Sequence, residues 1–327
     1  MLTYIVRRLL RMIPTLITIS IMVFVIIQLP PGDFFDSLQA QLAESDSQAD
    51  QEAFETLRRQ YHLDKPLWQQ YLYWVSGCLH GDFGYSFEWR RPVSELIVER
   101  LGLTFLMASG AIVFMWLVAL PIGIYSARHR YTWGDYFLTF LAFIGLCVPG
   151  FIIALVAMYT SVFWFGGSAG GLFSPDFKYA AWSLERVWDL LSHLWVPVVV
   201  IGAAGTAGLM RIMRTSMLDV LDEQYITTAR AKGLAERWVI YKYAVRVAIN
   251  PMISILGLQM PQLISGSIIV AIVLGLPTTG PLFYRALETQ DMYLAGTFLM
   301  LLAILLLLGN LLADILLAWV DPRIRLE

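Results

Sequence analysis

The chain has 327 residues, 58% hydrophobic and 15% charged, with a mean hydropathy of +0.64. Together with several apolar stretches of about twenty residues, that composition excludes a soluble enzyme and implies a polytopic, all-α membrane protein without a large soluble domain. The formal net charge of −2 is uninformative overall, since the basic residues follow topology and form no patch that would suggest nucleic acid.

The N-terminal stretch "MLTYIVRRLLRMIPTLITISIMVFVIIQLPPGD" sets Arg7, Arg8 and Arg11 ahead of an apolar run. The run is roughly eighteen residues long, enough to cross a ~30 Å hydrocarbon core. No small-x-small site follows it, so residues 1–30 read as a cytoplasmic end and an uncleaved first span. Residues 31–100 read as an external helical cap. Its first part, "DFFDSLQAQLAESDSQADQEAFE", is nearly free of cations. In "DKPLWQQYLYWVSGCLHG", Asp64 is a candidate N-cap, Pro66 sits near the first turn, Leu67, Tyr71, Trp74 and Cys78 recur at helical spacing, and Gly81 stops the run. Its aromatic face either packs over the bundle or lies on the outer membrane surface or a partner.

A five-span core is expected over 101–319, with spans near 101–126, 136–162, 195–215, 251–275 and 293–319 and a tail at 320–327. That makes six transmembrane helices with the first. Pro121, Pro149 with Gly150, and Pro261 read as kinks, because neighbouring groups in a bundle satisfy the freed carbonyls. Lys and Arg gather in the connections 127–134 and 211–250 and at both ends, which puts those segments and both termini in the cytoplasm. Cys78 falls in the outer segment and Cys147 inside a span, so no disulfide framework is expected. The sequence has no phosphate-binding loop, no H-E-x-x-H and no G-x-S-x-G, and His62, His80, His129 and His193 are scattered. No catalytic residue, metal site or cofactor is therefore expected in this chain. Asp314, the one carboxylate inside an apolar run, is near enough to the cytoplasmic end to snorkel.

Between spans four and five, a helix is expected from Asp222 to Lys232, with Asp222 and Glu223 at its N-terminal end and Arg230 and Lys232 at the other. Gly233 supplies the left-handed residue that ends it. Thr227, Thr228, Ala229 and Ala231 leave a surface that another protein can approach closely. Trp238, Tyr241, Ala244 and Val245 follow along an amphipathic helix that returns to the membrane.

This stretch, "EQYITTARAKGLAERWVIYKYAVRVAINP", resembles the cytoplasmic loop of permease subunits in binding-protein-dependent ABC importers, of the dipeptide/oligopeptide/nickel class. "GDFGYSFEWRRPVSELIVERLGLTFLM" and the C-terminal "DILLAWVDPRIR" are similar to the same family, so the resemblance covers essentially the whole chain. It departs at "LGLPTTGPLFYRAL", where the class usually has a Pro-Gly-Leu-Gly type turn, and in the long "GGSAGGLFSPDFKYAAWSLERVWDLLSHLW".

The resemblance implies the type I ABC importer permease fold in a bacterial or archaeal inner membrane. The expected partners are a second homologous permease, two ATPase subunits that bind ATP and Mg, an external solute-binding protein and membrane lipid. It makes residues 222–234 a coupling helix, with Glu223, Tyr225, Thr228, Ala229, Arg230, Ala231, Lys232 and Gly233 at the ATPase; Arg230 and Lys232 also read as solvated charges that mark the cytoplasmic side. The cargo would be a peptide or oligosaccharide-like solute. Gln259, Gln262, Ser265 and Ser267 of span five either line its pathway or bond to neighbouring helices. A self-contained secondary transporter would show inverted repeats or buried ionisable groups, and an intramembrane enzyme would show a catalytic constellation at membrane depth; neither pattern is evident.

Overall fold

The computed structural model describes residues 2–29, 56, 59, 64–86, 88–165, 170–178 and 180–320; the acidic stretch 33–55 and the tail 321–327 lie outside the described residues. Among the described residues four helices are long and apolar enough to cross a membrane, and there are up to six spans if each of two bent helix pairs counts as one. The chain divides into two compact units. One holds Leu2–Leu103 and Thr278–Ile304, the other Thr104–Pro277 and Leu305–Glu327.

The first unit begins with α1 (Leu2–Gln28) and α2 (Leu67–Leu79). α2 starts where proline fixes the backbone: Pro66 is its N-cap, its carbonyl takes the N–H groups of Gln69 and Gln70, and no side chain caps the helix. Asp64, expected in that role, lies two residues too early. Trp74 is 6% exposed and clusters with Val23 and Phe24 of α1, while Tyr71 meets Ser20 at 2.8 Å and sets its ring edge-on to Phe24. Of the two readings of this face, packing onto a neighbouring helix is the one observed. Gly81, at φ +82°, ends the run as expected.

A short antiparallel hairpin pairs Tyr85 with Pro92 and Ser86 with Arg91, the only strands among the described residues. It leads into α3 (Val93–Arg128), and α11 (Thr279–Glu288) and α12 (Met292–Val320) follow later in the chain. Val93, Leu96 and Ile97 of α3 share an apolar cluster with Leu282, Ala286 and Leu294, and Phe283 stacks on Phe298 with centroids 4.3 Å apart. Asp291, only 1% exposed, joins these pieces: its carboxylate accepts a short bond from the Ser86 hydroxyl and a 3.3 Å bond from Leu294 N–H at the start of α12. Burial pushes the Asp291 carboxyl up to about 6, and the donated bonds oppose that rise.

The second unit is built on α4 (Trp133–Cys147), α5 (Gly150–Phe165) and α6 (Leu184–Leu221). Thr132 caps α4 by accepting from Asp135 N–H. Asp135 in turn takes a bidentate pair from Arg214 of α6 at 3.0 and 2.8 Å. The span expected over 136–162 is not one kinked helix: α4 and α5 meet at 98°. Val148 is extended because it precedes Pro149, and the chain turns there. Pro121 and Pro261, in contrast, stay inside continuous helices. α6 begins well before residue 195, at a Ser183 cap. Asp189 of its first turns accepts from the N–H and hydroxyl of Ser174, and Arg186 sits 4.7 Å from the Phe173 ring and 4.6 Å from Trp182. The last part of the long loop, from Leu184 on, is thus helix.

The fifth span is likewise composite: Glu236–Ala248 (α8) meets Asn250–Gly266 (α9) at 46°, and α10 (Ile268–Val273) follows. α9 crosses α12 at glycine. A Cβ on Gly257 would lie 2.5 Å from Asn310 N, and one on Gly309 would lie 2.6 Å from Gly257 O, so only glycine permits this approach.

Candidate docking helix and its anchor

α6 ends at Leu221, and Asp222 is its C-cap. The expected helix 222–232 is therefore shorter than proposed. Glu223 is extended, and α7 runs from Gln224 to Ala231. Its C-terminus closes with two bonds, Leu234 N–H to Ala229 O at 3.4 Å and Gly233 N–H to Arg230 O at 2.9 Å, around Gly233 at φ +76°. This is the Schellman arrangement, and it requires a residue that adopts the left-handed region without a Cβ penalty. No atom lies within 4 Å of a Cβ built on Gly233, so the requirement is conformational, not steric crowding.

Three residues apart on α7, Ile226 (0% exposed) and Ala229 (6%) enter the apolar cluster that contains Met213 and Met217 of α6 and Val239, Ile240 and Ala244 of α8. α8 contributes those three side chains from a π-helical stretch, Val239–Ala244, whose wider winding changes which positions face inward. Ala229, expected on the docking surface, is thus turned into its own chain. Tyr225, Thr227, Thr228, Ala231, Lys232 and Gly233 remain exposed. Arg230 makes a bidentate pair with Glu236 at 3.2 and 2.9 Å across the turn, so its charge is paired within the loop while the side chain stays exposed. Of the aromatic and apolar residues expected to run along the returning helix, Trp238 and Tyr241 are 53% and 60% exposed, whereas Ala244 is buried. Ile226, the anchor, was not singled out by sequence reasoning; its signal is an apolar residue in an otherwise polar helix, three positions before Ala229.

The four polar residues of the fifth span separate. Gln259 is buried and accepts from Trp116 Nε1 at 3.1 Å, so it joins two helices. Ser267, half-buried, donates to Ile264 O. Gln262 and Ser265 are exposed, one helical turn apart.

Long apolar helices, composite bent spans and a short helix held on a polar loop define a polytopic membrane protein of the helical-bundle class. The chain belongs to the family of binding-protein-dependent transport system inner membrane components: that family's model matches residues 119–326, and the model of its N-terminal region matches 1–108. It is a multi-pass inner-membrane permease of a binding-protein-dependent ABC importer, as the resemblance implied, and the family is that of the membrane subunit, not the ATPase.

The chain is 38% identical to the oligopeptide transport system permease protein AppB of Bacillus subtilis, over 99% of this chain and 100% of that protein. It is 33% identical to the glutathione transport system permease protein GsiC of Escherichia coli, over 99% of each. Among solved structures, the MetNI methionine ABC transporter in an inward-facing conformation matches with a TM-score of 0.51 at 16% identity, over 69% of this chain and 96% of that one. That likeness concerns the fold.

Proposed function

We propose that this chain pairs with a second, related permease to enclose a pathway for a peptide delivered by an external binding protein, and that α7 is its docking helix for an ATPase subunit. The cargo reading rests on the relatives named as oligopeptide and glutathione permeases. An oligosaccharide-like cargo is the second reading from sequence, and no observation favours it. ATP and Mg belong to the partner ATPases. Both termini, 127–134 and 211–250 face the cytoplasm, following the distribution of Lys and Arg.

One observation carries the coupling proposal: α7 is exposed on one face and fixed on the other by Ile226 and Ala229 within a cluster shared with α6 and α8. Packed side chains transmit displacement because interiors are dense and deform little. A push on Tyr225, Thr228, Ala231 or Lys232 is therefore delivered to two membrane helices together. ATP-driven closure of the ATPases would drive a rigid-body change between outward- and inward-open states. Gln262 and Ser265, which face outward from α9, are the proposed pathway residues, with Gln259 as structural support.

A photo-crosslinker at Thr228 or Ala231 in the assembled complex should capture an ATPase subunit, and one at Glu288 should not. Capture of an ATPase from position 288, or none from either loop position in an intact complex, contradicts the assignment.

A further inference from the structure

A second feature lies between α4 and α6, away from α7. A cavity of about 260 Å³ is lined by Tyr131, Tyr136, Thr139, Phe143, Arg211 and Thr215, with the Asp135–Arg214 pair in its wall. Asp135 has a side-chain exposure of 3%, and its acceptor capacity is already used. Arg214 takes both oxygens, Tyr131 N–H donates at 3.1 Å, and the Thr139 hydroxyl donates at 3.4 Å. Arg211 has no acidic partner among the described residues; its guanidinium rests 5.1 Å from the centre of the Phe143 ring. Arg211 is therefore a positive charge with no acidic partner among the described residues, in a cavity that Tyr131, Tyr136, Thr139 and Thr215 also line.

The surroundings say what kind of anion this charge meets. Trp133 is 91% exposed, and Phe137, Phe140 and Ile144 continue along α4 at 60%, 61% and 44%. Exposed Trp and Tyr next to a fully apolar stripe mark the level where headgroups give way to acyl chains. Tyr131 adds to this rim from the left-handed region, at φ +64°, a conformation unfavourable for an aromatic residue and held here by its N–H bond to Asp135. A soluble anion would use the charge and leave the stripe bare, whereas a phospholipid uses both.

We propose that this cavity binds the phosphodiester headgroup of an anionic membrane phospholipid, with Arg211 as the ion-pairing group and the lipid's acyl chains along Phe137, Phe140 and Ile144. Basic pockets between membrane helices recognise such headgroups through their positive charge. The cytoplasmic leaflet is assigned from the orientation proposed above. Binding itself does not depend on that orientation, since a detergent micelle has no leaflets.

The test uses the assembled complex, delipidated in detergent and titrated with phosphatidylglycerol or phosphatidylcholine while bound lipid is read by native mass spectrometry. Phosphatidylglycerol should be retained in preference to phosphatidylcholine. Arg211→Gln should weaken it about fivefold, as expected for loss of one cation at a membrane surface, and Arg211→Lys should restore most of the binding. Millimolar inorganic phosphate should not displace the lipid. Equal binding of the two lipids, unchanged affinity in Arg211→Gln, displacement by phosphate, or a crosslinker at position 211 that captures the second permease instead of lipid would each overturn the proposal. An inverted topology in whole-cell cysteine labelling would refute the orientation and leave this binding result standing.

Discussion

The loop that carries α7 and the junction at Asp291 are both short links beside long apolar helices, and they are held by opposite means. α7 is fixed by two apolar side chains, Ile226 and Ala229, and its ion pair with Glu236 lies on the exposed side. The Asp291 junction is fixed by a carboxylate that is nearly fully buried, with Ser86 and the start of α12 as its donors. An apolar anchor holds position without responding to pH or salt, and it leaves the polar face available to a partner. A buried carboxylate gives direction and register, and it ties the local structure to protonation.

The largest expected effect comes from removing the apolar anchor. Ile226→Ala deletes a fully buried side chain and should loosen α7 by about 2–5 kcal/mol. Hydrogen exchange over 224–234 in the complex should quicken markedly; unchanged protection would mean that the outer face, not the core, holds this helix.

An intermediate effect is expected at Asp291. Its folded pKa is raised from 3.8 to about 6, so the protonated form is favoured in the folded chain. The associated stability is fully present below the ordinary carboxylate value and is lost as pH rises through about 6. The thermal midpoint of the complex should thus be higher at pH 5 than at pH 7.5, by the equivalent of about 1 kcal/mol. Asp291→Asn keeps one acceptor for the Leu294 N–H, places an amide N–H that can donate to the Ser86 hydroxyl, and removes the titrating group, so it should abolish that difference. A pH difference of equal size in the Asn variant would place its origin elsewhere.

The smallest effect belongs to Arg230 and Glu236, whose side chains are 43% and 49% exposed. A double-mutant cycle with Arg230→Ala and Glu236→Ala should give a coupling energy below about 1 kcal/mol that shrinks with added salt. A larger, salt-independent value would mean that a partner covers the pair in the assembled importer.

Much of the fold is written locally in the chain. Among the described residues four spans are continuous apolar helices, two of them starting before the expected residues 101 and 195, and Gly233 and Gly81 both stop their helices with positive φ as expected. Where sequence reasoning fell short, the deciding force was tertiary. The small residues of α7 announce close approach without saying toward what: Ala229, together with Ile226, packs against α6 and α8 of its own chain. Asp291 and Ser86 are separated by more than two hundred positions, and no local pattern links them.

The proposed coupling requires α7 to keep its shape as it passes motion from the ATPases to the membrane helices. It is tested most directly in the reconstituted complex carrying Gly233→Val, with solute uptake and ATP hydrolysis measured together and Gly233→Asn as the control that tolerates a left-handed residue. The expected result is assembly and ATP turnover with uptake largely lost in the Val variant and largely kept in the Asn variant. Normal uptake by an intact Gly233→Val complex would show the loop to be a passive connector.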